Sequence, residues 1–266
     1  MDADGGEGAA PVKPRPRASV VGVLGEVFIT FGVLVFLFFG WQVRLNDLIV
    51  GAEQNRAGTA IGEGWDKSAP SHQHAVPAAS TLSGNLSPGA AINFGEPVVG
   101  SAPRDTAKFA VLYVPRFGAD YARSISEGVE TAEVLDKNGI GHYPDTQMPG
   151  QVGNFAIAAH RTTHGAPFKL LANLQVGDKI YVRTLDGYYT YGFRGLEYVR
   201  PTGVGVLSPT PQFAGAEATD RILTMTSCNP EFSAAERIIA YAALESWQPT
   251  SAGAPAAISA AVTAKS

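Results

Sequence analysis

The chain has 266 residues, with 20 Lys+Arg set against 24 Asp+Glu for a formal net charge of -4. That balance, with no basic stripe, excludes a nucleic-acid surface. One cysteine in the whole chain excludes an internal disulfide framework and a cysteine-based zinc site.

Residues 1–19 are mostly Gly, Ala and Pro with three basic residues, Lys13, Arg15 and Arg17. They read as a disordered cytoplasmic tail, because such a composition buries too little apolar surface to fold. Val20 to Gly40 then run apolar with one charge, Glu26. As a helix that run is about 31 Å long, enough for a hydrocarbon core of about 30 Å. With Trp41 at interface depth, residues 20–41 are expected to form one transmembrane helix. Basic residues are more numerous before it than after it, where Arg44 stands nearby. The N-terminus is therefore expected in the cytoplasm and the rest of the chain outside. A signal peptide fits less well, since GWQVRLND follows with no small-x-small cleavage site. A buried helix of a soluble domain fits less well too, because the run is apolar on nearly all faces. The sequence gives no account of Glu26.

Residues 42–103 read as an extracytoplasmic tether, extended and poor in large apolar side chains. His72 and His74 within it are expected to be solvated tether residues. A folded domain is expected over 104–248. Ala107–Val114 reads as a strand ended by Pro115, and Phe117–Ile125 as a turn-rich passage. Glu127–Lys137 reads as a short helix stopped by Asn138-Gly139. Ile140–Gly153 is a long Gly/Pro-punctuated loop. Asn154–Ala159 is a buried-type strand presenting His160. Phe168–Leu174 is a helical turn, and KIYVRT is a strand. Asp186-Gly187 signals a hairpin before the aromatic-rich YYTYGFRGLEYV, read as a strand pair. Pro201–Thr219 has little period and the look of an active-site rim. Residues 221–227 form a strand, and 236–244 suit either a helix or a strand. Residues 249–266 read as a second disordered tail. At least six strands with little helix predict a single all-β domain, of barrel type.

The chemistry gathers at RILTMTSCNPEFSAAER, residues 221–237. The strand delivers Cys228 to a turn begun by Asn229-Pro230, where proline stops the ladder. Free cysteine is often a small buried hydrophobe. An unpaired thiol outside the cell invites oxidation, however, so its presence there points to use. Cys228 as nucleophile, His160 as proton partner and Arg237 as electrostatic stabiliser fit acyl transfer. A metal site of His142, His160 and His164 is the competing reading. THGAP is a poor helix and no nearby carboxylate completes a ligand set, so no metal is expected.

With these residues identified, TMTSC at 224–228 resembles the cysteine signature of sortases, the membrane-anchored cysteine transpeptidases of Gram-positive bacteria. NFAIAAHR at 154–161 resembles their histidine strand and ERIIAYA at 236–242 their arginine strand. The resemblance spans about 104–248. GHYPDTQMPG at 141–150 and the proline after the Cys-x pair are most like the class E sortases of actinobacteria. The resemblance implies a closed eight-stranded sortase-type β-barrel with short helices, preceded by one transmembrane helix, and decides 236–244 as a strand. It implies catalytic Cys228, His160 and Arg237, substrate contacts from Thr226 and Ser227, and no cofactor or structural metal. The implied substrates are secreted proteins with a C-terminal sorting signal, of Leu-Ala-x-Thr-Gly type in class E. These would be cut between Thr and Gly and passed to an amine of peptidoglycan peptide or its lipid-linked precursor. An aromatic residue reads the signal, and Tyr121 and Tyr143 both suit that role. Three positions depart from the family pattern: Met225 for Leu, Ser227 for Thr and Ala159 for Gly. None removes a catalytic side chain.

Two rivals share the fold: a pilin-polymerising sortase that uses a lysine acceptor, and a membrane-tethered binding barrel without chemistry. A papain-like protease would want a helix-borne cysteine, whereas Cys228 follows a strand.

Overall fold

The computed structural model describes residues 19–41, 46–68, 93–213 and 215–263. The expectations for residues 1–18, for His72 and His74, and for the last three residues lie outside these. The chain forms two units, 1–42 and 43–266.

In the first unit, helix α1 (Val20–Gly40) is long and apolar enough to cross a membrane, and none of its residues is buried.

The second unit is built on a closed barrel of eight strands. In chain order they are β1 (Lys108–Tyr113), β2 (Ala122–Glu127), β3 (Ile140–His142), β4 (Gly153–Ala159), β5 (Lys179–Arg183), β6 (Gly187–Val199), β7 (Arg221–Asn229) and β8 (Glu236–Pro249). Round the barrel they run β1-β2-β3-β4-β7-β8-β6-β5. The β2–β3 and β4–β7 pairs are parallel and the others antiparallel. Strand side chains alternate between faces. Phe155 and Ile157 of β4, Leu223 and Met225 of β7, and Ile238 and Ala240 of β8 therefore point into one core with Leu112, Val182 and Tyr191. Each fully buried large apolar side chain contributes about 1.5–3 kcal/mol. The eight-stranded barrel expected from the family resemblance is the fold observed.

Three local readings differ. The passage read as turn-rich ends in β2, whose six residues are all buried. Its ARSISE sequence hides the strand, because the Arg123 side chain is buried and bonded to another element rather than to water. β3 lies within the segment read as a loop. YYTYGFRGLEYV is one long strand, β6, bulged twice against β8.

The element covering β2 is helix α2 (Asn46–Ser68), in the stretch read as a tether. Its buried stripe is small: Gly51, Gly58, Thr59 and Gly62. A Cβ on Gly58 would lie 2.3 Å from the Ala122 carbonyl oxygen, and one on Gly62 would lie 2.6 Å from Arg183 Nη1. Glycine here lets the helix backbone reach the strand. Low apolar content therefore misleads, since close approach rather than large side chains makes the contact. Polar bonds seal it. Arg123 Nη1 donates to Gly51 O (2.5 Å) and Gln54 Oε1 (2.9 Å), and the Ala122 N–H donates to Asn55 Oδ1 (3.2 Å). Arg183 is fully buried and donates from Nη2 to Asp66 Oδ1 at 2.5 Å, so its charge is paired.

The C-terminal stretch read as disordered also packs. Ile258, Ala261 and Val262, on turn Ala256–Ile258 and helix Ser259–Thr263, are buried with Val111, Tyr113, Tyr181 and Tyr188 on the outer face of the barrel. Three small apolar residues suffice here because Ile61 and Trp65 of α2 complete the cluster.

Candidate active site

Cys228 and Arg237 are direct partners across the antiparallel β7–β8 ladder. Opposed residues in a ladder share a face. Leu223, Met225 and Ile238 take the inner face, so Thr224, Thr226, Cys228 and Arg237 lie outside the barrel. The parallel β4–β7 register pairs Ala158 with Thr226. β4 ends at Ala159, one residue before His160, while β7 runs on through Cys228 to Asn229. Of the three sequence-predicted residues, Cys228 and Arg237 are thus register partners on the outer face, and His160 follows the strand that pairs with β7 on its other side. Cys228 is half-buried, accessible yet flanked.

Arg237 Nη1 donates to Ala234 O (3.1 Å) and Glu236 O (3.0 Å). That fixes one branch of the planar guanidinium and leaves the other for a ligand. His160 Nε2 lies 2.7 Å from Asp136 Oδ1. Asp136 follows a single π-helical turn, Thr131–Leu135, in the segment read as a short helix. No sequence signal marks this contact, because nothing ties a carboxylate to a histidine 24 positions later before the barrel closes. With Nε2 engaged, Nδ1 is the ring nitrogen left for proton exchange.

The other predicted residues separate cleanly. Tyr143 is half-buried and its hydroxyl lies 3.0 Å from Thr226 Oγ1, on the Cys228 face. Tyr121 is buried in the core and donates to Pro167 O at 2.9 Å, supporting the loop after His160. Burial drives its phenol well above the usual tyrosine range. Ser227 points to the opposite face from Cys228 and donates to Ala159 O at 2.7 Å. Its hydroxyl joins β7 to β4 instead of facing a ligand. His142 is buried on β3 with Nδ1 2.8 Å from Glu127 Oε2, apart from the histidine pair. His164 stacks on His160, ring centroids 5.0 Å apart.

A groove continues from Arg237. Val199 and Glu197 of β6 oppose Arg237 and Ile239. With Gly203, Val206, Ser208 and Gln212 they line a cavity of about 310 Å³. Its wall is the β6–β7 connection, which includes the helical turn Val204–Leu207. Asn154 Nδ2 pins that wall by donating to Val206 O (2.9 Å) and Ser208 O (3.0 Å), and Thr224 Oγ1 donates to Asn154 Oδ1 (2.6 Å). This wall lies within the stretch 201–219. Tyr241 donates to Glu197 Oε2 at 2.7 Å in the groove floor.

A family model described as "Sortase domain" matches residues 112–245. Sortase SrtE1 of Streptomyces coelicolor is 34% identical over 92% of this chain, which spans 63% of that relative's length. The SrtA sortase from Actinomyces oris superposes with a TM-score of 0.59 at 35% identity, covering 62% of this chain and 94% of that one. Sortase E from Streptomyces avermitilis superposes with a TM-score of 0.53 at 39% identity, covering 59% and 99%.

Proposed function

This chain belongs to the sortase family, and on that premise we propose that it is a membrane-anchored cysteine transpeptidase of class E type. The Cys228 thiolate attacks the threonine carbonyl of a C-terminal sorting signal. Arg237 donates to the oxyanion of the tetrahedral intermediate. The Thr–Gly C–N bond breaks, His160 gives its proton to the leaving amine, and a thioester remains on Cys228. An amine of peptidoglycan peptide or its lipid-linked precursor attacks the thioester, His160 takes the proton back, and the Cys228 thiolate is released. These residues supply nucleophile, proton shuttle and charge, so the chemistry invokes no cofactor. The observation that carries the reading is the register pairing of Cys228 with Arg237, beside the strand that ends at Ala159, one residue before His160.

Tyr143 is the aromatic residue we assign to signal reading, because its hydroxyl bonds Thr226 two positions before the nucleophile while Tyr121 is buried elsewhere. The preferred signal in this reading is Leu-Ala-x-Thr-Gly. Helix α1 anchors the enzyme with its N-terminus in the cytoplasm and the catalytic domain outside the cell.

The test uses the full chain in detergent micelles with fluorogenic peptides carrying Leu-Ala-x-Thr-Gly or Leu-Pro-x-Thr-Gly, with and without a glycine-based amine. Intact-mass analysis is expected to find a thioester on Cys228, a ligated product with the alanine signal, and neither in Cys228→Ala. Covalent polymer ladders through a lysine would instead assign a pilin-polymerising enzyme. Peptide binding with no acylation would assign a binding barrel.

A further inference from the structure

We propose that Asp136, His160 and His164 form a binding site for one zinc-class divalent cation, and that its occupancy switches the proposed transfer reaction off. The second half rests on the function proposed above; the first does not.

Three ligating atoms converge: His160 Nε2 lies 2.7 Å from Asp136 Oδ1, and His164 Nδ1 lies 3.5 Å from the same oxygen. All three lie within 4.8 Å of one another. Around tetrahedral zinc, with bonds of about 2.0–2.1 Å, neighbouring ligand atoms stand about 3.4 Å apart. The cluster therefore needs only a small rearrangement to receive the ion. Two imidazoles and one carboxylate suit zinc-class ions over calcium or magnesium, which take oxygen ligands. The side chains are 22%, 31% and 44% exposed for His160, Asp136 and His164, so an ion reaches them from solvent.

His164 is held in place from a distance. Thr163, His164, Gly165 and Ala166 all have positive φ (66°, 49°, 78° and 40°). Such a run persists only where surroundings enforce it. Here α2 enforces it. The Asp47 carboxylate accepts from the Thr163 N–H (3.1 Å) and the Gly165 N–H (3.3 Å), and Gln54 Nε2 donates to His164 O (3.0 Å). The loop is thereby shaped to bring a second imidazole onto the first.

On binding, the ion replaces the hydrogen between His160 Nε2 and Asp136, and that proton passes to solvent. His164 exchanges its contact with Thr163 Oγ1 (3.1 Å) for the metal. A metal-bound His160 no longer carries the second proton that the leaving amine must receive, so turnover stops.

The experiment titrates the full chain in detergent micelles with zinc chloride by calorimetry, alongside Cys228→Ala and His164→Ala, with calcium chloride as contrast. One zinc per chain is expected in the parent and in Cys228→Ala, with no calcium binding. His164→Ala is expected to weaken zinc binding by about tenfold or more. In peptide cleavage, zinc inhibits the parent and EDTA restores it, while His164→Ala cleaves within about twofold of the parent and resists inhibition. Zinc binding that survives His164→Ala, or disappears in Cys228→Ala, overturns the site. Binding without inhibition overturns the switch. Normal zinc binding by a metal-free chain that cleaves no peptide leaves the site standing and removes the transpeptidase reading.

Discussion

The Tyr143 hydroxyl and Thr226 Oγ1 lie 3.0 Å apart, joining the exit of β3 to the strand that carries Cys228. Tyr143→Phe keeps the ring and deletes that bond. A neutral hydrogen bond contributes about 0.5–1.5 kcal/mol, so kcat/KM for the alanine signal is expected to fall about two- to tenfold. Thr226→Val removes the same bond from the other side. The double variant is expected to lose little beyond either single one, because both delete one interaction. Peptide kinetics on the four proteins test this, and fully additive losses would break the assignment.

Gly58 sets how closely α2 approaches β2. In Gly58→Val the first carbon alone would meet the Ala122 carbonyl oxygen at 2.3 Å, so helix or strand must move. Overpacking of this kind costs about 1–3 kcal/mol, and each kcal/mol lowers Tm by about 2–4 °C in a domain of this size. Thermal unfolding checks the magnitude. Limited proteolysis within 46–68 is expected to accelerate; an unchanged cleavage rate would show that α2 contributes nothing to the folded unit.

Asp178 supplies an acid-sensitive contact. Arg116 donates to it twice, at 2.8 and 2.7 Å, and the Gln175 N–H adds a third bond at 2.9 Å. The Arg116 hydrogen bonds hold this carboxyl below the usual aspartate range. A depressed folded value stabilises the fold above the unfolded value, near pH 3.9, and that stability is lost as pH falls through the folded one. Asp178→Asn is therefore expected to be less stable than the parent at neutral pH, with the gap closing below about pH 4. Denaturant melts at several pH values read this directly, and a gap independent of pH would refute it.

β4 and β7 were legible in the sequence because each repeats a two-residue apolar period, Phe155 and Ile157, Leu223 and Met225, while 236–244 suited a helix or a strand until the family resemblance decided for the period of Ile238 and Ala240. Those periods also put Cys228 and Arg237 on the other face. β2 was not legible, since Arg123 and Ser124 are buried by a neighbour that composition gives no reason to expect. α2 was missed for the converse reason: glycines at 51, 58 and 62 carry its contact, and glycine counts against both helix and core. Tyr121 and Tyr143 stayed equivalent until the strands closed, when one became core and the other reached Thr226. Asp136 belongs to the same class. Its partner is set by the parallel β2–β3 crossover, which no local pattern reports.

That carboxylate leads to the last prediction. In the proposed reaction His160 must hold its second ring proton while Cys228 has lost its own, so the rate against pH is expected to be bell-shaped. Asp136 engages His160 Nε2 and thereby leaves Nδ1 as the ring nitrogen for proton exchange in the proposed reaction. Asp136→Asn keeps the size and removes the charge that favours a donating Nε2–H. We expect kcat to fall by about tenfold or more, as an orienting partner of a general acid–base group should cost. KM should change little, because Asp136 touches the histidine rather than the signal peptide. Asp136→Glu should recover part of the rate, since it restores the charge at slightly longer reach. Steady-state kinetics across pH, with thermal melts to show equal folding, make the check. A variant that keeps the parent's kcat throughout the profile would reduce Asp136 to a surface contact, and His160 would then be oriented by its strand alone.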